Sequence, residues 1–229
     1  MAWSAIALGL LVAAFVAIPS VTDAARTTTY AVPEADLVAA REALAELPVR
    51  GRAPSTGYDR DVFGQAWADE DRNGCDTRND VLARDLTAIE AKPGTNGCVV
   101  LTGTLADPYS GAAIPFERGE HSADVQIDHV VALSDAWQKG AQQWTDAQRQ
   151  AFANDPANLL AVQGALNQQK GAGDAATWLP PNRGYRCVYV IRQVSVKADY
   201  GLWVTQAEHD AIERELGRCV TAEPSPPPS

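Results

Sequence analysis

Histidine is scarce in this chain, and so is any excess of basic residues. Three His, at 121, 129 and 209, serve 229 residues, so imidazole chemistry has few places to reside. No His-Glu-x-x-His, Gly-x-Ser-x-Gly or P-loop string occurs, which removes the usual signatures of helical zinc proteases, serine hydrolases and nucleotide-phosphate cradles. Lys and Arg number 19 against 29 Asp and Glu, a net charge of −10. A chain so acidic does not coat nucleic acid through its whole surface. Nucleic-acid chemistry here would require a local basic patch and a metal. None of the four Cys stands in a Cys-x-x-Cys pair, which argues against a zinc ribbon. The apolar run Ala5–Ile18 has 14 residues, short of the roughly 20 that a bilayer span requires.

Apolar residues make up 46% of the chain and charged residues 21%, with six Trp. That supports a real core in one medium domain and argues against wholesale disorder. The apolar run followed by Pro19-Ser20 and the small residues Thr22 and Ala24 reads as a signal peptide over residues 1–24. No Lys or Arg precedes it, so an uncleaved anchor facing outside is the alternative. Cleavage removes Asp23 and no base, leaving a net charge of −9. Export places Cys75, Cys98, Cys187 and Cys219 in an oxidising compartment. Four Cys allow three connectivities. Nearest-neighbour pairing, Cys75–Cys98 and Cys187–Cys219, is the expectation, each bridge contributing about 3–4 kcal/mol by loop entropy.

Periodicity and punctuation give an α+β, helix-rich order. Pro33 opens a helix with Leu37, Ala40, Leu44 and Leu47 at helical spacing. Residues 50–60 read as a loop and 61–68 as a short helix. Leu82, Leu86 and Ile89 place a helix over Asp80–Glu90. Cys98–Leu105 reads as a strand, with a partner at Ala112–Phe116 beyond the turn Asp107-Pro108-Tyr109-Ser110-Gly111. Val125-Gln126-Ile127 alternates into Asp128-His129. Helical patterns follow over Ser134–Gln142 and over Thr145–Ala153, the second opened by the capping box Thr145-x-x-Gln148. Leu159–Gln163 is a short strand and Ala165–Lys170 a short helix. Residues 186–199 line up Cys187, Ile191, Val194 and Ala198 on a helical face, the Val content leaving a strand open. Thr205-x-x-Glu208 caps a last helix that stops at Gly217, and a Pro-rich tail over 221–229 reads as disordered.

The chemistry-bearing residues are Asp128-His129, Asn158 and Asn167-x-x-Lys170. Adjacent residues at a strand end point to opposite faces, so an acid can hold a hard cation while the imidazole stays free as a base. Asn167 and Lys170, three apart, share a helix face. An amide oxygen suits Mg²⁺, which keeps several waters, and a nearby cation suits a phosphate oxygen. This set suits metal-assisted phosphodiester hydrolysis.

At these positions the sequence resembles the HNH, or His-Me finger, endonucleases, and within them exported bacterial proteins related to the nuclease domain of GmrSD-type restriction enzymes. The matching residues are Asp128-His129-Val130-Val131-Ala132-Leu133, Asn154-Asp155-Pro156-x-Asn158-Leu159, Asn167-x-x-Lys170-Gly171 and Trp178-Leu179-Pro180. Upstream, Gly74-Cys75-Asp76-Thr77-Arg78 and Asp107-Pro108-Tyr109-Ser110-Gly111 match as well. The resemblance implies a ββα-metal core at about 124–171 inside a nuclease domain spanning 61–220, preceded by an N-terminal helix and loop at 25–60. It implies that His129 is the general base, that Asp128 and Asn167 hold a divalent metal (Mg²⁺, with Mn²⁺ as alternative), and that Asn158 bridges the strands and fixes the His. Lys170 is implied as an auxiliary phosphate contact. The implied activity is an exported, monomeric endonuclease acting on DNA, with RNA as the alternative. The 29 positions between His129 and Asn158 require an inserted helical segment.

Arg78, Arg183 and Arg186 are further candidate phosphate contacts, the last two in an acid-free stretch with Arg192 and Lys197. Asp69-x-Asp71-x-Asn73-Gly74, with Asp80 at the twelfth position, follows a calcium-loop pattern. A structural Ca²⁺ there suggests a rival reading, a non-catalytic, calcium-stabilised extracellular binding module.

Overall fold

The computed structural model describes residues 30–222; the expected signal segment and most of the expected tail lie outside them. The helices are α1 (Glu34–Glu46), α2 (Thr77–Asp85), α3 (Leu133–Trp137), α4 (Asp146–Asn154), α5 (Gly164–Lys170), α6 (Arg186–Asp199) and α7 (Gln206–Leu216). The strands are β1 (Leu86–Ala91), β2 (Val100–Ala106), β3 (Ala113–Glu117), β4 (Val125–His129) and β5 (Leu159–Gln163). The architecture is mixed helix and sheet in a single domain. Three strands form an antiparallel sheet in the order β1-β2-β3, and β4 pairs antiparallel with β5.

Three helix expectations differ from the structure. The short helix expected over 61–68 is only a 3-10 turn, Arg60–Phe63, which Gly64 ends at φ +80°. The expected helix over Asp80–Glu90 begins earlier and ends at Asp85, where the chain turns directly into β1. Asp76 caps its start by accepting from the Asn79 amide N–H. At its end the Asp85 carboxylate accepts from Arg84 and from the Ala161 N–H, while Leu86 and Thr87 pair with Leu105 and Thr104. The spacing of Leu82 and Leu86 is helical, but cross-strand pairing of Thr87 and its neighbours outweighs it. The expected helix over Ser134–Gln142 breaks after Trp137, because Gly140 adopts φ +137°, outside helical space. The capping boxes at Thr145/Gln148 and Thr205/Glu208 both form, and residues 186–199 are helical.

Strand β4 lies where three apolar clusters meet. Val125 and Ile127 pack with Leu82, Phe116 and Leu159; Val130 packs with the α1–α6–α7 cluster; Val131 packs with Phe63, Trp137 and Phe152. Trp178 packs edge-on against Tyr109 and Trp144 packs tilted against Phe152, as packing residues rather than free platforms. The register sets Asp128 opposite Leu160 and His129 opposite Leu159. Strand β5 passes straight into α5 at Gly164, where a Cβ would lie 2.0 Å from the Ala123 carbonyl oxygen. Only glycine permits that approach, and so β5 can hand the chain to α5 beside the start of β4, where Gln163 pairs with Val125. The bridges Cys75–Cys98 and Cys187–Cys219 both form, closing 23- and 32-residue separations. The first ties the loop before α2 to the β1–β2 connection; the second ties the start of α6 to the segment after α7.

Candidate active site

His129 ends β4 with its ring buried, only 7% exposed. Its Nε2 lies 2.8 Å from the Ala153 carbonyl oxygen. A carbonyl can only accept, so Nε2 carries the hydrogen and Nδ1 keeps the lone pair in the neutral ring. Burial pushes the imidazole down to about 4, against the raising influence of the Ala153 carbonyl and Asp128; Arg60 and Lys170 add to the lowering. The ring is neutral at pH 7. Trp67 stacks over it, ring centroids 6.3 Å apart and planes 19° apart. Trp67 holds φ +58°, a conformation costing a bulky residue on the order of 1–3 kcal/mol. Asn154 maintains it by accepting from the Ala68 N–H and donating to the Gln65 carbonyl, and the Thr77 hydroxyl donates to the Ala68 carbonyl.

Asp128, one residue earlier, is held from two sides. The Lys170 ammonium donates to its Oδ1 at 2.8 Å and also to the His129 carbonyl at 2.7 Å. The Tyr109 hydroxyl donates to Oδ2 at 2.5 Å. Burial, and then Asp128, push the Tyr109 phenol well above its ordinary value, so it remains a donor. Asn158, fully buried, accepts from the Val131 N–H at 2.8 Å, returns a hydrogen bond to the Val131 carbonyl, and takes the Val130 N–H on its own carbonyl. It therefore bridges the two strands just beyond His129. Asn167 donates from Nδ2 to Gln126 Oε1 at 3.0 Å.

Asp128, His129 and Asn167 line one open cavity of about 260 Å³ with Tyr58, Arg60 and Gln168. A narrow recess of about 30 Å³, room for a water molecule, adjoins it between His129, Trp67 and Arg60. A larger cavity, about 810 Å³ between α1 and α6, is lined by none of these residues. Asp128 is the one carboxylate among the described residues lining the His129 cavity, and Asn167 supplies an amide oxygen beside it; the Gln126 and Gln168 amides and the Tyr58 and Ser134 hydroxyls line it as well. Each Asp128 oxygen accepts one hydrogen bond and retains a lone pair. Asn167 Oδ1 accepts from no donor among the described residues. This donor set fits Mg²⁺, which takes one or two protein groups and keeps several waters, and outer hydrogen bonds are the usual support of a ligating carboxylate.

Several expectations need correction. Lys170 is not a phosphate contact: its side chain has no exposed surface and its ammonium is engaged by Asp128 and the His129 carbonyl. Arg78 lies beside Arg118, whose charge together with burial lowers its affinity for the proton, and it does not line the His129 cavity. Arg183 lines a separate cavity with Tyr30, Cys187 and Glu215, and Arg186 donates to the Pro180 carbonyl. The acid-free stretch is no free basic patch. Lys197 is buried against Asp135 and Glu208, and Arg192 donates to the carbonyls of Pro156, Ala157 and Leu159.

Asp69, Asp71, Asn73 and Asp80 do come together, but as a hydrogen-bonded turn. Asp69 and Asp71 accept from the Asn73 and Gly74 N–H groups, and the Asn73 amide donates to Asp71 and Asp80. Among the described residues no group of three or more His, Cys, Asp or Glu is placed to hold a metal ion, and the loop's carboxylates are engaged by its own backbone and by Asn73. Arg60 is the residue that sequence reasoning missed. It is exposed, forms no ion pair among the described residues, lines both spaces beside His129 and acts on the imidazole by its charge. Its place depends on Phe63, buried three residues on in the cluster that also receives Val131, and no local pattern announces that contact.

The fold and site together define a disulfide-stapled α+β domain in which a buried Asp-His strand end shares a cavity with an asparagine on α5, the helix after the partner strand. The chain belongs to the family of GmrSD restriction endonuclease C-terminal domains, whose family-wide sequence pattern matches residues 76–215, from the cap of α2 to the last turn of α7. It is 40% identical over 182 residues to an uncharacterized secreted protein of Arthroderma benhamiae, an alignment covering 79% of this chain and 84% of that one. No solved structure matches it. Among the described residues no helix is long and apolar enough to cross a membrane. Arg60 and Trp67 lie upstream of the family match.

Proposed function

We propose that the protein is an exported, divalent-metal-dependent endonuclease that hydrolyses phosphodiester bonds in DNA, with RNA as the alternative substrate, and that it acts as a monomer. The observation carrying this reading is the neutral His129, hydrogen-bonded through Nε2 to Ala153, on one cavity with Asp128, Asn167 and Arg60, which forms no ion pair among the described residues. His129 Nδ1 takes a proton from water as the water oxygen bonds to phosphorus. The bond from phosphorus to the 3′ oxygen breaks, and that oxygen leaves with a proton from solvent. Asp128 and Asn167 would hold the metal, which when bound supplies positive charge to the phosphoryl oxygens and the leaving oxygen. Arg60 holds a non-bridging oxygen of the phosphate. Asn158 and Trp67 act through His129, the first fixing the backbone beyond it and the second covering its ring.

Purified protein is to be incubated with plasmid in Mg²⁺, in Mn²⁺ and in chelator. Cutting in the metal arms alone is expected. His129→Ala should lower the rate by about 10²–10⁴-fold, the usual worth of a general base, with a native circular-dichroism spectrum. Wild-type rates in that variant would remove His129 as the base. Melting that responds to Ca²⁺ without any cutting would favour the binding-module reading.

A further inference from the structure

A metal site is normally rich in negative charge before the ion arrives. This one is not. Asp128 is the one acid among the described residues lining the cavity, and the Lys170 ammonium already neutralises it at 2.8 Å. The other lining groups of note are the Asn167 amide, the His129 imidazole and the Arg60 guanidinium. Counted without an ion, the site is neutral or positive. A divalent cation entering beside Asp128 would meet a buried ammonium on the same carboxylate and an arginine at the cavity. Lys170 cannot swing away cheaply, because its side chain is wholly buried and its Nζ also serves the His129 carbonyl. The missing negative charge is what a phosphodiester brings, and Mg²⁺ commonly binds through one or two carboxylates completed by substrate phosphate.

Resting on the nuclease reading above, we infer that this cavity takes up its divalent ion together with the phosphate of the nucleic acid rather than beforehand, and that Lys170 is the positioning residue that imposes this order. Lys170 fixes Asp128 in place, as a ligand's outer support does, while cancelling the charge that would otherwise draw an ion into the empty cavity. Tyr109 fixes the other carboxylate oxygen without adding charge. The two donors thus divide the work: both orient, and only Lys170 couples. Linkage makes the effect reciprocal, so the ion must tighten phosphate binding by the same factor.

The test is a Mn²⁺ titration of the full chain, following free Mn²⁺ by electron paramagnetic resonance, with and without a saturating dithymidine phosphorothioate. This probe carries one singly charged, slowly cut phosphodiester analogue and little metal affinity of its own. At least tenfold tighter Mn²⁺ binding with the dinucleotide is expected. Lys170→Met should bind Mn²⁺ at least tenfold tighter than wild type without dinucleotide, and its coupling should fall below threefold. Tyr109→Phe, which keeps the ammonium, should keep the coupling. Equal wild-type affinities with and without the dinucleotide would overturn the inference, and unchanged coupling in folded Lys170→Met would overturn the part given to Lys170. If that variant does not fold, the wild-type pair of titrations still decides the order of binding. Absence of Mn²⁺ binding in both arms, or binding unchanged by Asp128→Asn, would instead overturn the assignment of the metal to Asp128.

Discussion

Among the described residues, ion pairs with both partners buried occur in two places, and they are built differently. Beneath α3, α6 and α7, Asp135, Asp174 and Glu208 meet Lys139, Lys197 and Arg52. Lys139 reaches all three acids at 2.6–2.8 Å, and Lys197 reaches Asp135 and Glu208 at 3.0 Å. Arg52 closes the outer side against Asp135 and Asp174. Three acids balance three bases and the groups are spent on one another. At the end of β4 a single acid meets a single ammonium, and beside them lie an open cavity, a neutral imidazole and an uncommitted amide oxygen. Buried charge by itself therefore does not mark a functional site. Unspent bonding capacity beside an opening does.

The two places are also coupled. Asp135 sits on α3, the helix that follows β4, and Asp174 lies just beyond α5. The closed network thereby clamps both flanks of the open one to α6 and α7. Removing one partner of the closed network should cost the most stability. Lys197→Met leaves Asp135 and Glu208 facing each other with less compensation. Burial already pushes Asp135 up, and Lys197 with Lys139 hold it down at about 2. A loss of about 3–5 kcal/mol is expected, the range for orphaning a buried charge, read from urea denaturation. Undiminished stability would show that the network relaxes or hydrates freely.

Acid should separate the two regions next. His129 is held at about 4 in the folded chain, against an ordinary value of 6.5 for the imidazole. The unfolded chain thus binds the extra proton first as pH falls. The stability lost with falling pH begins at 6.5 and is complete near 4, and by linkage it is about 3 kcal/mol. Asp135 behaves oppositely in range: its contribution is full above 3.8 and is lost only as pH falls towards 2. Denaturant midpoints at pH 7.5, 5.5 and 4.5 should therefore fall in wild type and fall far less in His129→Gln. Parallel slopes would mean that His129 is more hydrated than its burial implies.

How much of this could be read from the sequence depends on how local the cause was. The capping boxes at Thr145 and Thr205, the β4 alternation and the Asn167–Lys170 spacing are each decided within a few residues, and all were legible. The start of β1 was not, because Leu86 and Thr87 obey pairing with residues near 105 rather than their own helical spacing. Lys170 was visible as a cation near Asp128 but not as a buried one; its burial depends on Tyr109 and on strand register. Arg60 was invisible because it reaches His129 through the packing of Phe63, with no spacing rule linking them.

Arg60 gives the next smaller effect and a cleaner contrast with Arg52. Both arginines lie between α1 and α2, but Arg52 is bound to two carboxylates and Arg60 to none among the described residues. Arg60→Ala should leave stability within about 0.5 kcal/mol, as exposed positions do. It should lower kcat/KM by roughly tenfold to a hundredfold, the worth of one charge-assisted hydrogen bond to phosphate of about 1.5–3 kcal/mol. Arg52→Ala should show the reverse pattern. Plasmid-cutting rates beside thermal melts of the two variants decide it, and equal effects on both readouts would erase the distinction between spent and unspent arginines.

The smallest expected effect tests the open site from inside. Tyr109→Phe deletes the hydroxyl on Asp128 Oδ2 and leaves the ring packed edgewise against Trp178 and Tyr189. Removing the donor with its volume otherwise filled costs about 1 kcal/mol, because the freed carboxylate oxygen can turn towards the cavity and its water. In the closed network an equivalent loss has no such outlet, and its cost is correspondingly larger. A Tyr109→Phe penalty comparable to that of Lys197→Met would therefore mean that Asp128 has no access to the cavity, and the contrast between the two ionic sites would collapse. A small penalty accompanied by a larger fall in cutting rate would place the hydroxyl's main contribution in the orientation of the carboxylate.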